Sequence, residues 1–300
     1  MAKFKLGDVK RGGAFALVSA LLFGASTPAA KAIIGGVHPL MLAGLLYLGS
    51  GCGVAIVRLT ALKSAGAALK RADMPWLAAT VFFGGALGPA LLMFGLTSTS
   101  GSAASLLLTL EGVFTAVIAW IVFKEPFNRR IGWGMLAIFI GAVLLAMRGP
   151  GGHAALVGGF AVAGACLCWA IDNNCTSKIA HVDAPTLASI KGIVAGVANI
   201  TLALIFGAQL PPVATAGSAL TIGLLGHGAS LVLFVFALRE IGAARTGAYY
   251  STAPFIGAVI GLAFLHEPWS ITLIIAGILM AVGVWLHLTE PDARSGQGAS

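Results

Sequence analysis

One glutamate, Glu111, stands inside the run "LLLTLEGVFTAVIAWIVFKEP" (Leu106 to Pro126), which is otherwise almost wholly apolar. A related run, "YYSTAPFIGAVIGLAFLHEP" (Tyr249 to Pro268), has Ala253 at the matching place. Three more polar features lie in apolar surroundings: the cluster "WAIDNNCTSK" (Trp169 to Lys178) with Asp172, Asn173 and Asn174, the imidazole of His227, and the lone Lys191. A carboxylate in such a place binds a substrate ammonium or carries a coupling proton. A histidine there binds solute or switches with pH. Covalent chemistry has little support. The chain has neither the G-x-S-x-G elbow nor the H-E-x-x-H helix motif, and no P-loop signature G-x-x-x-x-G-K-[ST] for driving transport with ATP. Cys52, Cys166, Cys168 and Cys175 make no C-x-x-C pair and fall in apolar runs, so they read as small buried hydrophobes rather than metal ligands or disulfides. No cofactor and no metal is expected.

The elements that must position these groups are membrane spans. Of the 300 residues, 58% are hydrophobic and 9% charged, against roughly a quarter charged in soluble domains. About 20 apolar residues cross a ~30 Å hydrocarbon core as a helix. Such runs occur at roughly 13–34, 39–59, 75–96, 102–122, 131–148, 156–178, 185–207, 217–238, 244–265 and 270–288. The first is read as an uncleaved span rather than a signal peptide, because nine more follow. The last stretch, 289–300, is polar and rich in Gly and Ser and is expected to be a disordered tail. With the N-terminus in the cytoplasm, fifteen Lys and Arg fall on the inner side. Only Lys31 and Arg148 fall outside, and Lys191 lies within a span. The rule that positive charge stays inside therefore places both termini in the cytoplasm. The basic residues are scattered between apolar runs, so nucleic acid is not an expected partner.

The chain also repeats itself. At an offset of 142 residues, Gly84 meets Gly226, Phe94 meets Phe236, Glu125-Pro126 meets Glu267-Pro268, and Gly141 meets Gly283. For the first two spans an offset of 146 works better: Pro39 meets Pro185 and Phe23 meets Trp169. The expected fold is thus an all-α membrane protein of ten transmembrane helices, residues 1–150 and 151–288 each holding one five-helix unit. Five is odd, so the second unit crosses in the opposite sense. Inverted repeats of this kind build alternating-access carriers with a solute site near mid-membrane.

"LLFGASTPAAK" (Leu21 to Lys31), "HPLMLAG" (His38 to Gly44) and the endings "FKEP" and "LHEP" resemble the two EamA repeats of the drug/metabolite transporter superfamily. The resemblance covers nearly the whole chain. It implies a ten-helix bundle that exports small metabolites, often amino acids, through a cavity lined mainly by helices 1, 3, 4, 6, 8 and 9. Three positions depart from the family pattern. Phe23 stands where tryptophan is usual, Leu46 where arginine is common, and Gly112 where the proline kept at Pro254 is usual.

A charged side chain at the bilayer centre costs roughly 2.5–3.5 kcal/mol or more, so these polar residues must face the bundle interior or a wet cavity. Glu111 shares a helix face with Thr115. Expected around the solute or the coupling proton are Glu111, His227, Asp172, Trp169, Thr115, Tyr249, Tyr250 and Phe83, the aromatic residues walling a cavity for an apolar or aromatic solute. Asp172, Asn173 and Asn174 at one depth and Ser26, Thr27 and Pro28 at the other form two candidate gates. Each assignment has a bland alternative: a protonated Glu111 bonded to a hydroxyl, interhelical hydrogen bonds that glue the bundle, a bundle-bonded His227, and the tyrosines with Trp120 in the interfacial belt. Lys191 is expected to snorkel to the inner surface, and Lys31 and Lys178 to anchor span ends. Glu125 and Glu267 are expected to sit at the starts of spans five and ten, where an acid complements the helix dipole. The expected function is secondary export of small metabolites, amino acids first, across a bacterial inner membrane, with lipid and a small-molecule solute as partners. An exporter of lipophilic cations using Glu111 is the alternative, and an intramembrane enzyme a remote one. The sequence leaves the oligomeric state open.

Overall fold

The computed structural model describes residues 6–60, 67–124, 128–148 and 152–288. These residues are built from helices and their connections, and ten stretches are long and apolar enough to cross a membrane. In order they are Lys10–Gly36, Pro39–Leu59, Arg71–Ser98, Gly101–Ile121, Arg129–Met147, His153–Lys178, Ala184–Ile205, Val213–Ile241, Arg245–Phe264 and Ile271–Leu288, here called spans one to ten. Large apolar side chains stay exposed around the bundle: Phe139, Phe160, Val259 and Trp285 are each more than half exposed. A water-soluble surface avoids continuous apolar patches, whereas lipid is the natural neighbour for them. Ten crossings bring the first and last spans to one face, here the terminal face. The connections from two to three, four to five, six to seven and eight to nine lie there too.

The packing joins the two halves of the chain throughout. Span two lies along span seven and span five along span ten, span three packs on six and eight on one, and span four meets six while nine meets one. Exchanging each span for the one five later reproduces this set. Close crossings come from glycine: a Cβ on Gly192 would sit 2.6 Å from the Cα of Gly51, and one on Gly196 would sit 2.7 Å from the backbone of Leu48. Small residues let backbones approach where lipid supplies no hydrophobic drive between helices.

Four of the spans are not regular α-helices. Span four breaks after Leu107 and restarts at Leu110, and span nine breaks after Tyr250 and restarts at Ala253. The side chain of Thr109 donates to the carbonyl of Leu106 at 2.8 Å, and Ser251, its mate at an offset of 142, donates to Ala248 at the same distance. Spans three and eight carry π-helical turns at Thr80–Leu87 and Leu224–Ala229. In span three the amide of Gly88 reaches back five residues to Phe83, and Pro89, next in line, has no N–H to give. Positive φ also recurs in pairs, at Lys124 (57°) and His266 (51°).

Two expectations are corrected here. Glu267 does not sit at the start of span ten, whose first turn holds no acid. The turn at His266 sends it back to span four, where its carboxylate accepts the amides of Gly101 at 2.5 Å and Ser102 at 2.8 Å. Those amides begin a helix and have no intrahelical acceptor. Cys52 is exposed, while Cys166, Cys168 and Cys175 are buried as expected. Glu125 and the polar tail fall outside the described residues. Of the two anchors, Lys31 donates to the carbonyl of Leu96 at 2.6 Å, near the end of span three. Lys178 lies over the Phe123 ring at 3.9 Å.

Candidate functional site

The break in span four decides where Glu111 stands. It occupies the first turn of the half-helix Leu110–Ile121, so the positive end of that helix dipole favours its carboxylate. Asn173 of span six donates to its Oε1 at 2.8 Å and to Thr115 Oγ1 at 3.4 Å. Asn174, on the next helical position, donates to the carbonyls of Thr115 at 3.2 Å and Ala170 at 2.9 Å. Asn173 therefore orients the acid, and Asn174 ties span six to span four.

Beside them Asp172 is buried, and Lys191 of span seven donates to its Oδ2 at 2.6 Å. Thr176 donates to the other oxygen at 3.1 Å. Lys191 does not snorkel: about two turns into its span it reaches Asp172, and in a poorly solvated place a partnered ammonium is favoured over an unpartnered one. The π-turn of span three makes room for this pair. A Cβ on Gly84 would overlap the Asp172 carboxylate, and one on Gly85 would lie 2.9 Å from Lys191 Cγ. The same turn leaves carbonyls for side chains to claim. Gly84 O accepts Tyr47 Oη at 2.8 Å and Trp169 Nε1 at 3.0 Å, and Ala86 O accepts the buried Asn199 at 3.1 Å.

Another part of the lining is aromatic, and Tyr47 joins it to this polar wall. The His227 ring packs edge-on to Phe23 and tilted against Tyr47, both at 5.7 Å between centroids. Tyr250 packs on Phe23 at 5.4 Å and on Phe234 at 4.9 Å. Nδ1 of His227 is buried with no hydrogen-bond partner among the described residues. The two parts together line a cavity of about 700 Å³, within the range that holds small-molecule ligands. Its lining runs from Glu111 and Trp169 at mid-span to His181 and Asp183 in the connection from six to seven, and to Arg239 near the end of span eight. The cavity thus reaches the terminal face. At that mouth His181 contacts Asp73 at 3.0 Å and Arg58 contacts Asp183 at 3.6 Å. Among the described residues none of the opposite face lines it; there Glu267 and Lys31 hold the spans together.

The family model described as "EamA-like transporter family" matches residues 10–147 and again 156–289. The chain belongs to the EamA-like transporter family. It is a multi-pass membrane transporter of the drug/metabolite transporter superfamily. Among curated relatives it is 27% identical over 287 residues to an uncharacterized transporter of Methanothermobacter thermautotrophicus, covering 90% of this chain and 84% of that one. It is 23% identical to the uncharacterized transporter YvbV of Bacillus subtilis, covering 91% and 90%, and 24% identical to YyaM of the same organism, covering 65% and 67%. A solved crystal structure shares the fold, with a TM-score of 0.66 at 17% identity over 93% of this chain and 96% of that one.

Within this EamA-family carrier, the expected site residues separate into groups. Glu111, Asp172, Trp169, Asn173, His227 and Tyr250 line the cavity. Thr115 and Asn174 stand one layer behind it. Tyr249 is exposed and lies beside Gly13, away from the cavity, and Phe83 packs against the exposed Phe82 at 5.1 Å. Ser26, Thr27 and Pro28 are buried outside the lining; the Ser26 hydroxyl donates to Phe23 O at 2.6 Å. Spans two and seven also contribute, through Tyr47, Ser50 and Lys191, beyond the six helices the resemblance implied. Tyr47, Phe234 and Lys191 were missed as site residues. A signal existed for Tyr47, one of only three tyrosines and the one placed mid-span.

Proposed function

We propose that this transporter exports small metabolites, amino acids foremost and aromatic ones among them, across a bacterial inner membrane by alternating access. The observation that carries the reading is the one-sided cavity, lined both by polar groups around Glu111 and Asp172 and by aromatic ones around Phe23 and Tyr250. A polar wall suits the charged groups of an amino acid, and an aromatic wall suits its side chain. With both termini cytoplasmic, as the Lys and Arg distribution favours, the cavity opens inward and the Glu267–Gly101 contact closes the outer face. Alternation requires two five-span units, residues 1–150 and 151–288, threaded in opposite senses. Support for this comes from the exchangeable packing, the paired breaks in spans four and nine, and the paired π-turns. Glu111 binds the solute's ammonium or carries the coupling proton.

The test is flux of radiolabelled amino acids in proteoliposomes. Glu111→Gln keeps Asn173 a partner but removes the charge. Loss of a charge-assisted hydrogen bond predicts a fall of about ten- to a hundred-fold, with insertion and folding intact; flux equal to wild type would remove Glu111 from the mechanism. Export of lipophilic cations is the second reading. It is favoured by the mid-span part of the cavity, where Glu111 and Asp172 outnumber Lys191 among aromatic side chains, and predicts proton-driven efflux of cationic dyes that zwitterions do not inhibit.

A further inference from the structure

We propose that Lys191 is the residue that reads the solute's carboxylate, held in place for it by Asp172. The inference rests on the amino-acid reading above and deepens it. A lysine ammonium has three N–H donors. One goes to Asp172 Oδ2 at 2.6 Å, and the described residues offer Lys191 no second acceptor. Its side chain is a quarter exposed (26%) and forms part of the cavity wall, whereas that of Asp172 is only 5% exposed. Asp172 is also engaged from its other side by Thr176. Of the two partners, then, the cation is the one that both reaches the cavity and keeps N–H donors for a ligand, the Asp172 carboxylate being almost wholly covered.

The site is shaped around this pair. Gly84 and Gly85 stand where side chains would displace Asp172 and crowd the Lys191 stem. The residue after Asp172 is Asn173, which holds Glu111 at 2.8 Å. Neighbouring positions of span six thus brace the two opposite poles of the cavity, an ammonium on Lys191 and a carboxylate on Glu111. A solute with both an amine and a carboxylate satisfies both. A simple amine leaves the Lys191 donors unanswered in a desolvated cavity, which is unfavourable. An ion pair kept only for stability gains little over a neutral pair of similar size, so a structural role and a reading role predict different results.

The experiment compares counterflow of phenylalanine, phenethylamine and phenylalanine methyl ester, then of the other amino acids and their decarboxylated amines, in proteoliposomes. The proteins are wild type, Lys191→Gln, and the neutral pair Asp172→Asn/Lys191→Gln, which leaves neither member of the pair as a charge without its partner. Folding is followed by gel filtration and thermal melting. Wild type is expected to carry the amino acids and to prefer them over the amines and ester by about ten-fold or more, as for one charge-assisted hydrogen bond. The neutral pair is expected to fold but to lose that preference. A folded neutral pair that transports with wild-type selectivity overturns the inference while leaving the amino-acid reading in place. So does a wild-type protein that carries amines and amino acids equally well. If wild type carries none of the amino acids, the amino-acid reading fails first and takes this inference with it.

Discussion

Spans four and nine break at the same place, yet only one of them carries an acid there. After the break in span four come Glu111 and Gly112; after that in span nine come Ala253 and Pro254. The surroundings differ accordingly. Glu111 is half-buried, faces the cavity and has Asn173 as donor. Ala253 is 1% exposed, and its carbonyl lies so near Gly24 that a Cβ there would overlap it. A parallel contrast runs through the π-turns: Gly84 abuts Asp172, while its mate Gly226 abuts Ser26. The backbone devices come in pairs and the charges do not. On the alternating-access proposal a hinge is needed at matching places in both halves, whereas one cavity needs one set of charged groups.

The sharpest way to break this comparison is to move the acid. Ala253→Glu places a carboxylate in a close-packed apolar contact with no donor prepared for it. An uncompensated buried charge costs about 3–5 kcal/mol, so the variant is expected to melt far below wild type in detergent or to be lost from the membrane. Adding Glu111→Ala to it is expected to restore neither stability nor flux. A stable Ala253→Glu protein that transports would show that the two breaks are chemically interchangeable.

Next come the glycines of the π-turns. Gly84→Ala and Gly226→Ala each overpack a helix contact, at a cost of about 1–3 kcal/mol. Only the first displaces a charged cavity residue. Flux per folded molecule is therefore expected to fall for Gly84→Ala and to stay near wild type for Gly226→Ala. Equal losses would argue that the π-turns matter as hinges alone.

Much of the frame was legible in the sequence, because a membrane leaves few options: apolar runs long enough to span are found by length alone, and the offset between halves shows wherever glycine or proline marks a contact. The position of Glu111 was legible for the same reason. Its setting was not. The break at Leu108–Thr109 has neither glycine nor proline at it, so periodicity places a continuous helix there. The π-turn had one visible cause in Pro89, but a missing N–H does not say which register the preceding turn adopts. The Asp172–Lys191 pair depends on the depth of two spans, and boundaries uncertain by several residues shift depth by 1.5 Å for each. Glu267 was misplaced because a sharp turn at a non-glycine residue, His266, carries no sequence signal.

The closed face provides a smaller effect. Glu267→Gln keeps one acceptor oxygen and loses the charge that two helix-starting amides share. Caps and charge-assisted bonds of this kind contribute about 1–2 kcal/mol. The expected result is a modest loss of thermal stability and faster maleimide labelling of a cysteine placed at the buried Thr99, measured in a background lacking the exposed Cys52. Unchanged labelling would mean that the remaining contacts alone keep this face shut.

The smallest effect tests whether hydrogen bonds between spans act as glue. Ser19 and Ser230, both buried, exchange bonds: Ser19 Oγ donates to Ser230 O at 2.7 Å, Ser230 Oγ donates to Ser19 O at 2.9 Å, and the two hydroxyls are 3.0 Å apart. Their mates in the exchanged contact are Ala165 and Gly88, which have no side-chain hydroxyls. At this position the span six–three contact therefore packs without hydroxyls, its polar bond lying instead at Trp169 and Gly84, while the span one–eight contact is bonded here by both serines. Interhelical hydrogen bonds in membranes average about 0.6 kcal/mol, because the separated helices also find partners. A double-mutant cycle of Ser19→Ala and Ser230→Ala is expected to give a coupling of about that size by thermal or denaturant unfolding. A coupling well above it would make the span one–eight contact a structural clamp; one near zero would leave close packing as the shared basis of both contacts.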